Sequence, residues 1–217
     1  MRTYISPIGF NTTSVTRALI NHGVDSGDDI VLLRPAKETD DDRASEAVAD
    51  VEQLLQEIEP TLTVNLQRIP HDDFETAVMR CSKTIRTAKG SVVVSLSGGA
   101  RDILLPLTVA TMAHEQKIES TLGYSDLDGQ VREWMLPNIT ATPSDGEYKT
   151  LAAVDENGPN VSIPELATQR ESVKSTVTRH VNSLEESGFV TSQIEDRTKY
   201  VSITLSGRLS LARIAST

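Results

Sequence analysis

The chain has 217 residues, and 38% of them are hydrophobic, which is enough for one large core or two modest ones. No apolar run approaches the roughly 20 residues that span a membrane, and residues 1–10 lack the basic and then apolar order of a signal peptide. We therefore expect a soluble, cytoplasmic protein without membrane contact. The single cysteine, Cys81, excludes an intrachain disulfide, and the 4 histidines lack zinc-ligand spacing, so no metal site is expected.

The charge of the chain is acidic but uneven. Acidic residues number 31 against 21 basic ones, which gives a net charge of −10. Residues 1–136 carry 13 bases and 21 acids, whereas residues 161–217 carry 7 bases and 6 acids. An acidic, lysine-poor composition rich in threonine and aspartate resembles that of proteins from salt-loving archaea, in which molar salt shortens the Debye length to roughly 3 Å. The alternative is an ordinary acidic cytosolic protein.

Short apolar runs alternate with amphipathic stretches over the first 136 residues. This repeated βα pattern predicts an α/β fold with a Rossmann-like, mostly parallel sheet. The helix at 41–59 has a convincing pattern, because its apolar residues share one face and Pro60 stops it. The predicted elements are strands at 3–8, 30–33, 62–66, 91–96, 120–124 and 131–136, and helices at 13–22, 41–59, 73–87 and 102–116.

Residues 137–146 are rich in Pro, Asn, Ser, Asp, Gly and Thr and predict a linker. The linker divides the chain into a domain of residues 1–136 and a domain of residues 147–217. In the second domain, Ser162 and Glu165 form a capping box that starts a helix. The predicted elements there are helices at 147–156, 163–169 and 173–187 and a hairpin of strands 189–194 and 199–205. Three helices followed by a hairpin wing predict a small winged helix-turn-helix domain.

Two loops that follow strands contain the candidate ligand site. The first loop spans residues 7–13, and the second is a double-glycine loop at 97–102. Ligands of open α/β sheets bind at this edge, where glycines expose backbone N–H groups and a helix start attracts anions. The usual dinucleotide motif Gly-x-Gly-x-x-Gly and the Walker motif are both absent. The candidate ligand-binding residues are Gly9, Phe10, Asn11, Thr12, Ser97, Gly98, Gly99 and Arg101.

Each of these residues also has a purely structural interpretation. The glycine pair can form a simple tight turn, and Asn11 can cap the helix that follows it. Phe10 can pack in the core, and Arg101 can form only a surface ion pair with Asp102. Both interpretations remain open for the sequence alone.

The predicted helix at 173–187 is similar to the recognition helix of MarR-like and ArsR-like winged-helix regulators. Its valines and Leu184 share one face, and its polar residues face outward, where a helix in the major groove meets bases and phosphates. The candidate DNA-binding residues are Lys174, Ser175, Thr178, Arg179 and Asn182 on the helix and Arg197 and Lys199 on the wing. Val173 stands where relatives commonly have a serine cap. His180 is expected to pack under the wing, and a role of the module in protein contacts is the alternative.

A family resemblance follows from three features: the segment Ile5-Ser6-Pro7-Ile8-Gly9-Phe10, the strand that ends in Ser97-Gly98-Gly99-Ala100-Arg101, and the winged helix. Together they resemble archaeal CRISPR-associated regulators that join a CRISPR-associated Rossmann fold (CARF) domain to a winged helix-turn-helix. The resemblance implies a homodimer that binds a cyclic oligoadenylate, often cyclic tetra-adenylate, across its two-fold axis. It also implies that residues 9–12 line the ring and that Gly98, Gly99 and Arg101 hold its phosphates. Ser97 and Ala100 stand where relatives often have threonine.

The expected function is therefore a ligand-responsive transcription regulator that binds double-stranded DNA, with a cyclic nucleotide as effector and no cofactor or catalytic residue. A second hypothesis is a ring nuclease, for which Thr12, Ser95, Ser97 and Arg101 are the candidate groups. Neither ligand loop contains a histidine or lysine for that chemistry. A third hypothesis is a CARF-like regulator outside a CRISPR locus that senses another ligand, and a fourth is a DNA-binding protein with a vestigial sensor.

Overall fold

The computed structural model describes residues 1–37 and 40–214. The chain forms two compact units, of which the first spans Met1–Met135 and the second begins at Leu136. Within the described residues, no helix combines the length and the apolar character needed to cross a bilayer.

The first unit is a six-stranded sheet with helices between the strands, which confirms the predicted Rossmann-like α/β class. The strand order is β3-β2-β1-β4-β5-β6, in which β1 to β5 run parallel and β6 pairs antiparallel with β5. The strands are β1 (Arg2–Pro7), β2 (Asp29–Pro35), β3 (Thr63–Ile69), β4 (Ser91–Ser95), β5 (Ile118–Tyr124) and β6 (Val131–Glu133). The helices are α1 (Thr13–His22), α2 (Asp41–Ile58), α3 (Phe74–Thr87) and α4 (Arg101–Ala113).

The central strands of this sheet are buried on both faces, as expected of parallel strands covered by helices. Ile5 of β1 and Val93 and Val94 of β4 have no exposed surface. Helix α2 begins at a cap in which the Asp40 carboxylate accepts a hydrogen bond from the backbone N–H of Arg43. Its buried face is Ala44, Ala47, Val48, Val51 and Leu55. This packing fixes the sheet and with it the edge where the loops meet.

The second unit is a winged helix, as the sequence predicts. Its helices are α5 (Asp145–Asn157), α6 (Ile163–Gln169), α7 (Lys174–Glu186) and α8 (Leu205–Ile214), and its strands are β7 (Val161–Ser162), β8 (Val190–Glu195) and β9 (Thr198–Ile203). The capping box is present, since Ser162 and Glu165 each accept a hydrogen bond from the other's backbone N–H. The sequence interpretation did not include α8.

The stretch predicted as a linker makes contacts within the second unit. The backbone N–H of Asn138 donates to the Ser206 hydroxyl at the start of α8, at 3.0 Å. Ala141 packs against the core of the unit, and Ser144 forms a capping box with Glu147 at the start of α5. The proline, asparagine and threonine residues thus indicate an irregular backbone here. Several residues of this stretch nevertheless form hydrogen bonds or packing contacts within the second unit.

Candidate functional site

The two loops predicted to hold a ligand meet at the centre of the sheet. Strands β1 and β4 are neighbours, with Ile5 opposite Val94, and the strand order reverses between them. A Cβ atom added to Gly9 would lie only 3.2 Å from Cα of Gly99, so the two backbones approach each other closely. Such a reversal point is where open α/β sheets bind ligands.

The double glycine is required by both conformation and space. Gly98 has φ +75° and Gly99 has φ +70°, a region that side chains rarely adopt. A Cβ on Gly99 would lie 2.7 Å from Cβ of Pro7, and one on Gly98 would clash with the Ser14 hydroxyl. The glycines therefore form a tight turn and also leave their backbone accessible beside the first loop.

A cavity of about 640 Å³ opens where the loops meet. Five of the eight predicted ligand residues line it: Gly9, Phe10, Asn11, Gly98 and Gly99. The Phe10 side chain is 45% exposed, which rules out packing in the core, and the Arg43 guanidinium lies 4.7 Å from its ring centre. Asn11 lines the cavity, and its Oδ1 accepts a hydrogen bond from the N–H of Thr13, the first residue of α1, at 2.9 Å.

The remaining three predicted ligand residues lie outside the lining of this cavity. Thr12 precedes α1, and its carbonyl accepts the Thr16 N–H at 2.9 Å. Ser97 is buried, and its hydroxyl oxygen accepts the backbone N–H of Tyr124 at 2.5 Å, which joins the β4 loop to the end of β5. Arg101 is exposed at the start of α4 and has no hydrogen-bond or ion-pair partner among the residues that the structure describes.

The N-terminus of α4 faces this cavity without a side-chain cap. Ala100 occupies the cap position and lines the cavity, as does Asp102 in the first turn. The first N–H groups of a helix lack intrahelical acceptors, and the helix dipole makes this end attractive to anions. Asp102 adds a negative charge at the same end, so a phosphate here would be held chiefly by backbone donors.

Four further lining residues lie at or just beyond the ends of strands that the sequence interpretation did not connect to the site. Lys37 follows β2, His71 follows β3, Tyr124 ends β5 and Asp126 lies just beyond it. The Nδ1 atom of His71 is buried without a hydrogen-bond partner in the described part of the chain. The available signal was that each residue lies at or just beyond the end of a parallel strand, because the carboxyl ends of such strands meet at one edge of the sheet. A lysine and a histidine therefore do reach the cavity, although neither predicted loop contains one.

In the second unit, α7 presents most of its predicted DNA-binding side chains to solvent. Lys174, Ser175, Arg179 and Asn182 are exposed. Thr178 is half-buried, and its hydroxyl donates to the Lys174 carbonyl at 2.8 Å. Val177, Val181 and Leu184 face the core. The helix begins after Val173, which provides no side-chain cap, and the Ser172 hydroxyl bonds to the Arg170 carbonyl instead.

The two predicted wing residues differ in their exposure and in their side-chain contacts. Arg197 is exposed in a two-residue turn with Asp196, and both have positive φ, at 65° and 46°. Lys199 instead reaches back to α7, where its Nζ lies 2.6 Å from Glu185 Oε2 and 2.9 Å from Asn182 Oδ1. Burial opposes ionisation of Glu185, but hydrogen bonds from Lys199 and Ser192 hold its pKa below the usual value.

His180 contacts α5 rather than the wing. Its Nδ1 lies 3.0 Å from the Thr150 hydroxyl and 3.4 Å from Nη1 of Arg170. Burial and the nearby charges of Arg170 and Arg179 lower its pKa, against the opposing charge of Glu147. The expected position under the wing is therefore wrong, because the ring fills the space beside Gly146.

Residues 2–131 match the family described as the Csa3 CRISPR-associated Rossmann-like domain. The chain belongs to this family. Residues 140–199 of this Csa3-family protein match the MarR family. The chain thus joins a CRISPR-associated Rossmann-like domain to a MarR-family domain.

Solved structures similar to about a third of this Csa3-family chain include two MarR-family proteins. A MarR-family transcriptional regulator from Rhodococcus sp. RHA1 is 23% identical, with a TM-score of 0.32, over 33% of this chain and 52% of its own. A MarR protein from Peptoclostridium difficile is 21% identical, with a TM-score of 0.32, over 34% of this chain and 49% of its own. The Csa3-family chain thus spans about half the length of these structures. A comparison with curated proteins finds no match.

Proposed function

We propose that this protein is a homodimeric transcription regulator whose first unit binds a cyclic oligoadenylate or a related nucleotide and whose second unit binds double-stranded DNA. The observation that carries the proposal is the meeting of two glycine loops and an uncapped helix N-terminus in one cavity at the β1/β4 reversal point. Backbone N–H groups and a positive helix end are suited to phosphate.

The side chains of the cavity supply what a nucleotide needs besides phosphate contacts. Phe10 is an exposed aromatic residue, on which a base can stack. Lys37 adds a cation, and Asn11 adds an amide group. Asp102 and Asp126 offer carboxylate acceptors for the amino group of a base. This mixture favours a ligand with both bases and phosphates over a simple anion.

The volume of the cavity supports the homodimer. About 640 Å³ lies within the range of roughly 300–1,000 Å³ that suits a drug-sized ligand. A ring of four nucleotides is larger than such a ligand. Two copies of the chain, each contributing one cavity, would together accommodate one ring.

The exposed cations of the second unit support DNA binding. Lys174 and Arg179 on α7 and Arg197 at the wing tip are all exposed. A recognition helix reads base edges in the major groove, and a wing reaches adjacent phosphates. We propose that Arg179 contacts a base and Arg197 the backbone.

A slow ring-nuclease activity is the second candidate function. The unpartnered Nδ1 of His71 in the cavity favours it, because histidine can act as a general base near neutral pH. Linearised product after incubation with the wild-type protein, absent with His71→Ala, would support this candidate.

The acidic composition also supports adaptation to high salt. At about 1 M salt the Debye length is only roughly 3 Å, so ordinary screening of the net charge of −10 is nearly complete. If the unfolding temperature continues to rise when KCl is increased beyond about 1 M, the result would support a halophilic protein. If the unfolding temperature reaches a plateau below about 1 M KCl, the result would contradict a halophilic protein.

Isothermal titration calorimetry with cyclic tetra-adenylate tests the sensor. We expect one ring per two chains, and loss of binding in Gly99→Asp, where a side chain and a negative charge enter the loop. Gly23→Asp is the matched control, because Gly23 has φ +85° and open space around a Cβ. Lys37→Glu, at an exposed position, should also weaken binding. Two variants decide the outcome: the single variant Lys37→Glu and the double variant Gly99→Asp with Arg101→Ala. If both bind the ring as tightly as the wild type, this cavity is not the ligand site.

A further inference from the structure

The two edges of the sheet differ in how they are protected. Strand β6 forms one edge with only three residues, of which Arg132 and Glu133 are charged. Strand β3 forms the other edge with seven residues, and its first five, at 63–67, carry no charge and no proline. Proteins usually blunt sheet edges with short strands, charges or prolines. The β3 edge has none of these over most of its length.

A groove of about 380 Å³ runs between this edge and α3. Leu66, which is 40% exposed, lines it together with Gln67. The Thr84 hydroxyl of α3 donates to Oε1 of Gln67 at 2.7 Å, which fixes the helix beside the strand. The groove therefore lies beside the edge strand and is lined by three residues of β3, at 66–68.

The charged residues that line the groove are positive, although one of them, Arg68, is paired with the Asp41 carboxylate at 2.8 Å. Arg68, Arg80 and Lys83 line it, and no acidic residue is described in its lining. Arg80 and Lys83 are exposed, and neither side chain has a hydrogen-bond or ion-pair partner in the part of the chain that the structure describes. This is a local inversion of sign in a chain whose net charge is −10.

We propose that the β3 edge binds an extended acidic peptide, which adds to the sheet as a further strand. Unpaired N–H and C=O groups of an edge strand supply main-chain hydrogen bonds, and flanking side chains select the partner. Carboxylates on the added strand would meet Arg80 and Lys83. Pairing of two β3 edges from two copies of this chain would instead bring cations together, so the charge disfavours self-association at this edge.

Fluorescence anisotropy with the full chain tests this proposal. The probe is a fluorescein-labelled peptide as long as β3 that alternates threonine and glutamate, and the threonine–lysine peptide is its control. We expect the acidic probe alone to bind. A version with alternate backbone nitrogens methylated should bind at least about tenfold more weakly, because it lacks N–H donors on one edge.

Charge reversal in the protein separates the groove from general charge. Arg80→Glu with Lys83→Glu should weaken binding about tenfold. The matched control is Arg86→Glu with Lys89→Glu, which makes the same change in net charge at exposed positions outside the groove lining. Circular dichroism checks that both variants fold.

Four results would overturn the proposal. They are no binding of the acidic probe, equal binding of the methylated peptide, equal loss in the control variant, and tighter binding of a single-stranded oligothymidylate that depends on Arg80 and Lys83. The last result would identify the groove as a nucleic-acid surface. Because the cavity at the β1/β4 reversal point is not involved, none of these outcomes bears on the proposed sensor.

Discussion

The ammonium group of Lys199 on the wing lies 2.6 Å from a carboxylate oxygen of Glu185 on α7. The same ammonium contacts Asn182 Oδ1 at 2.9 Å. One residue predicted to contact DNA thus fixes the position of another. In the unbound protein its charge is already partly neutralised by Glu185.

Lys199 and Arg197 are therefore expected to affect DNA binding differently. Removing a free phosphate contact lowers the salt slope of binding by about one unit, so Arg197→Ala should do so. Lys199→Ala should also weaken DNA binding, because Asn182 loses its fixed position and the negative charge of Glu185 is no longer compensated. The salt slope of binding should change little in this variant. Mobility-shift titrations across a salt series measure both. A drop of one unit in the salt slope of Lys199→Ala would show that the ion pair opens on DNA and that Lys199 contacts a phosphate.

Arg179 is expected to discriminate between bases. It is exposed on α7, and a guanidinium can bond both O6 and N7 of guanine. If it reads a guanine, Arg179→Ala should cost roughly 1–3 kcal/mol on a specific operator and relax the preference at one position per half-site. Selection from a randomised DNA library measures the preference. An unchanged selected sequence would place Arg179 outside base readout, and Lys149→Ala on α5 serves as a control for lost charge.

The fold of both units was predictable because each depends on local patterns. Alternating apolar runs predict the parallel strands, and the capping box of Ser162 and Glu165 marks the start of α6 correctly. The two glycine loops were also predictable, since a double glycine after a buried strand suits a tight turn. Helix α8 was missed, since the sequence interpretation ended at the hairpin.

The sequence could place the remaining site residues at one edge of the sheet, but it could not show that they reach the cavity, because that depends on strand order. Lys37 and His71 reach the cavity only because β2, β3 and β4 end at one edge, and the sequence does not state which strands are neighbours. The pairing of Lys199 with Glu185 depends likewise on how the wing packs against α7. Spacing along the chain gives no such distance.

Asp28 is expected to make the first unit sensitive to acid. Its side chain is only 1% exposed, and its carboxylate accepts hydrogen bonds from the Arg2 N–H at 2.7 Å and the Arg2 guanidinium at 2.8 Å. Burial opposes ionisation, but bonds from Asp25 and Arg2 outweigh it and lower the pKa. Because the pKa of Asp28 is lower in the folded than in the unfolded chain, its ionisation stabilises the fold at pH values above the pKa of an unfolded aspartate, about 4. This stabilisation is lost as the pH falls through the lower pKa of the folded state.

Asp28→Asn should accordingly reduce stability at neutral pH by about 2 kcal/mol, because it removes a buried charged hydrogen-bond acceptor. This corresponds to roughly 4–8 °C in the unfolding temperature of a chain of this size. The difference from wild type should narrow below about pH 4. Thermal unfolding followed by circular dichroism measures this difference in stability. Asp25→Asn is the control, because Asp25 pairs with the same arginine but its side chain is 83% exposed. A constant difference between pH 3 and pH 7 would exclude ionisation as the cause.

The last prediction separates a sensor from an enzyme and depends on the proposed function. A regulator must bind its nucleotide and DNA with a coupling free energy, typically 1–3 kcal/mol, or about 5–150-fold in affinity, and this coupling is reciprocal. We expect saturating cyclic tetra-adenylate to change operator affinity by some factor, and operator DNA to change ligand affinity by the same factor. Two titrations, each repeated with the other partner saturating, measure the factors, and Gly99→Asp should abolish the ligand effect while leaving DNA binding intact. Equal operator affinity with and without ligand would contradict regulation by this nucleotide. Chromatography of radiolabelled ligand in the same samples then tests turnover: an intact ring supports the sensor, whereas fast linearisation that requires His71 would make the cavity an active site.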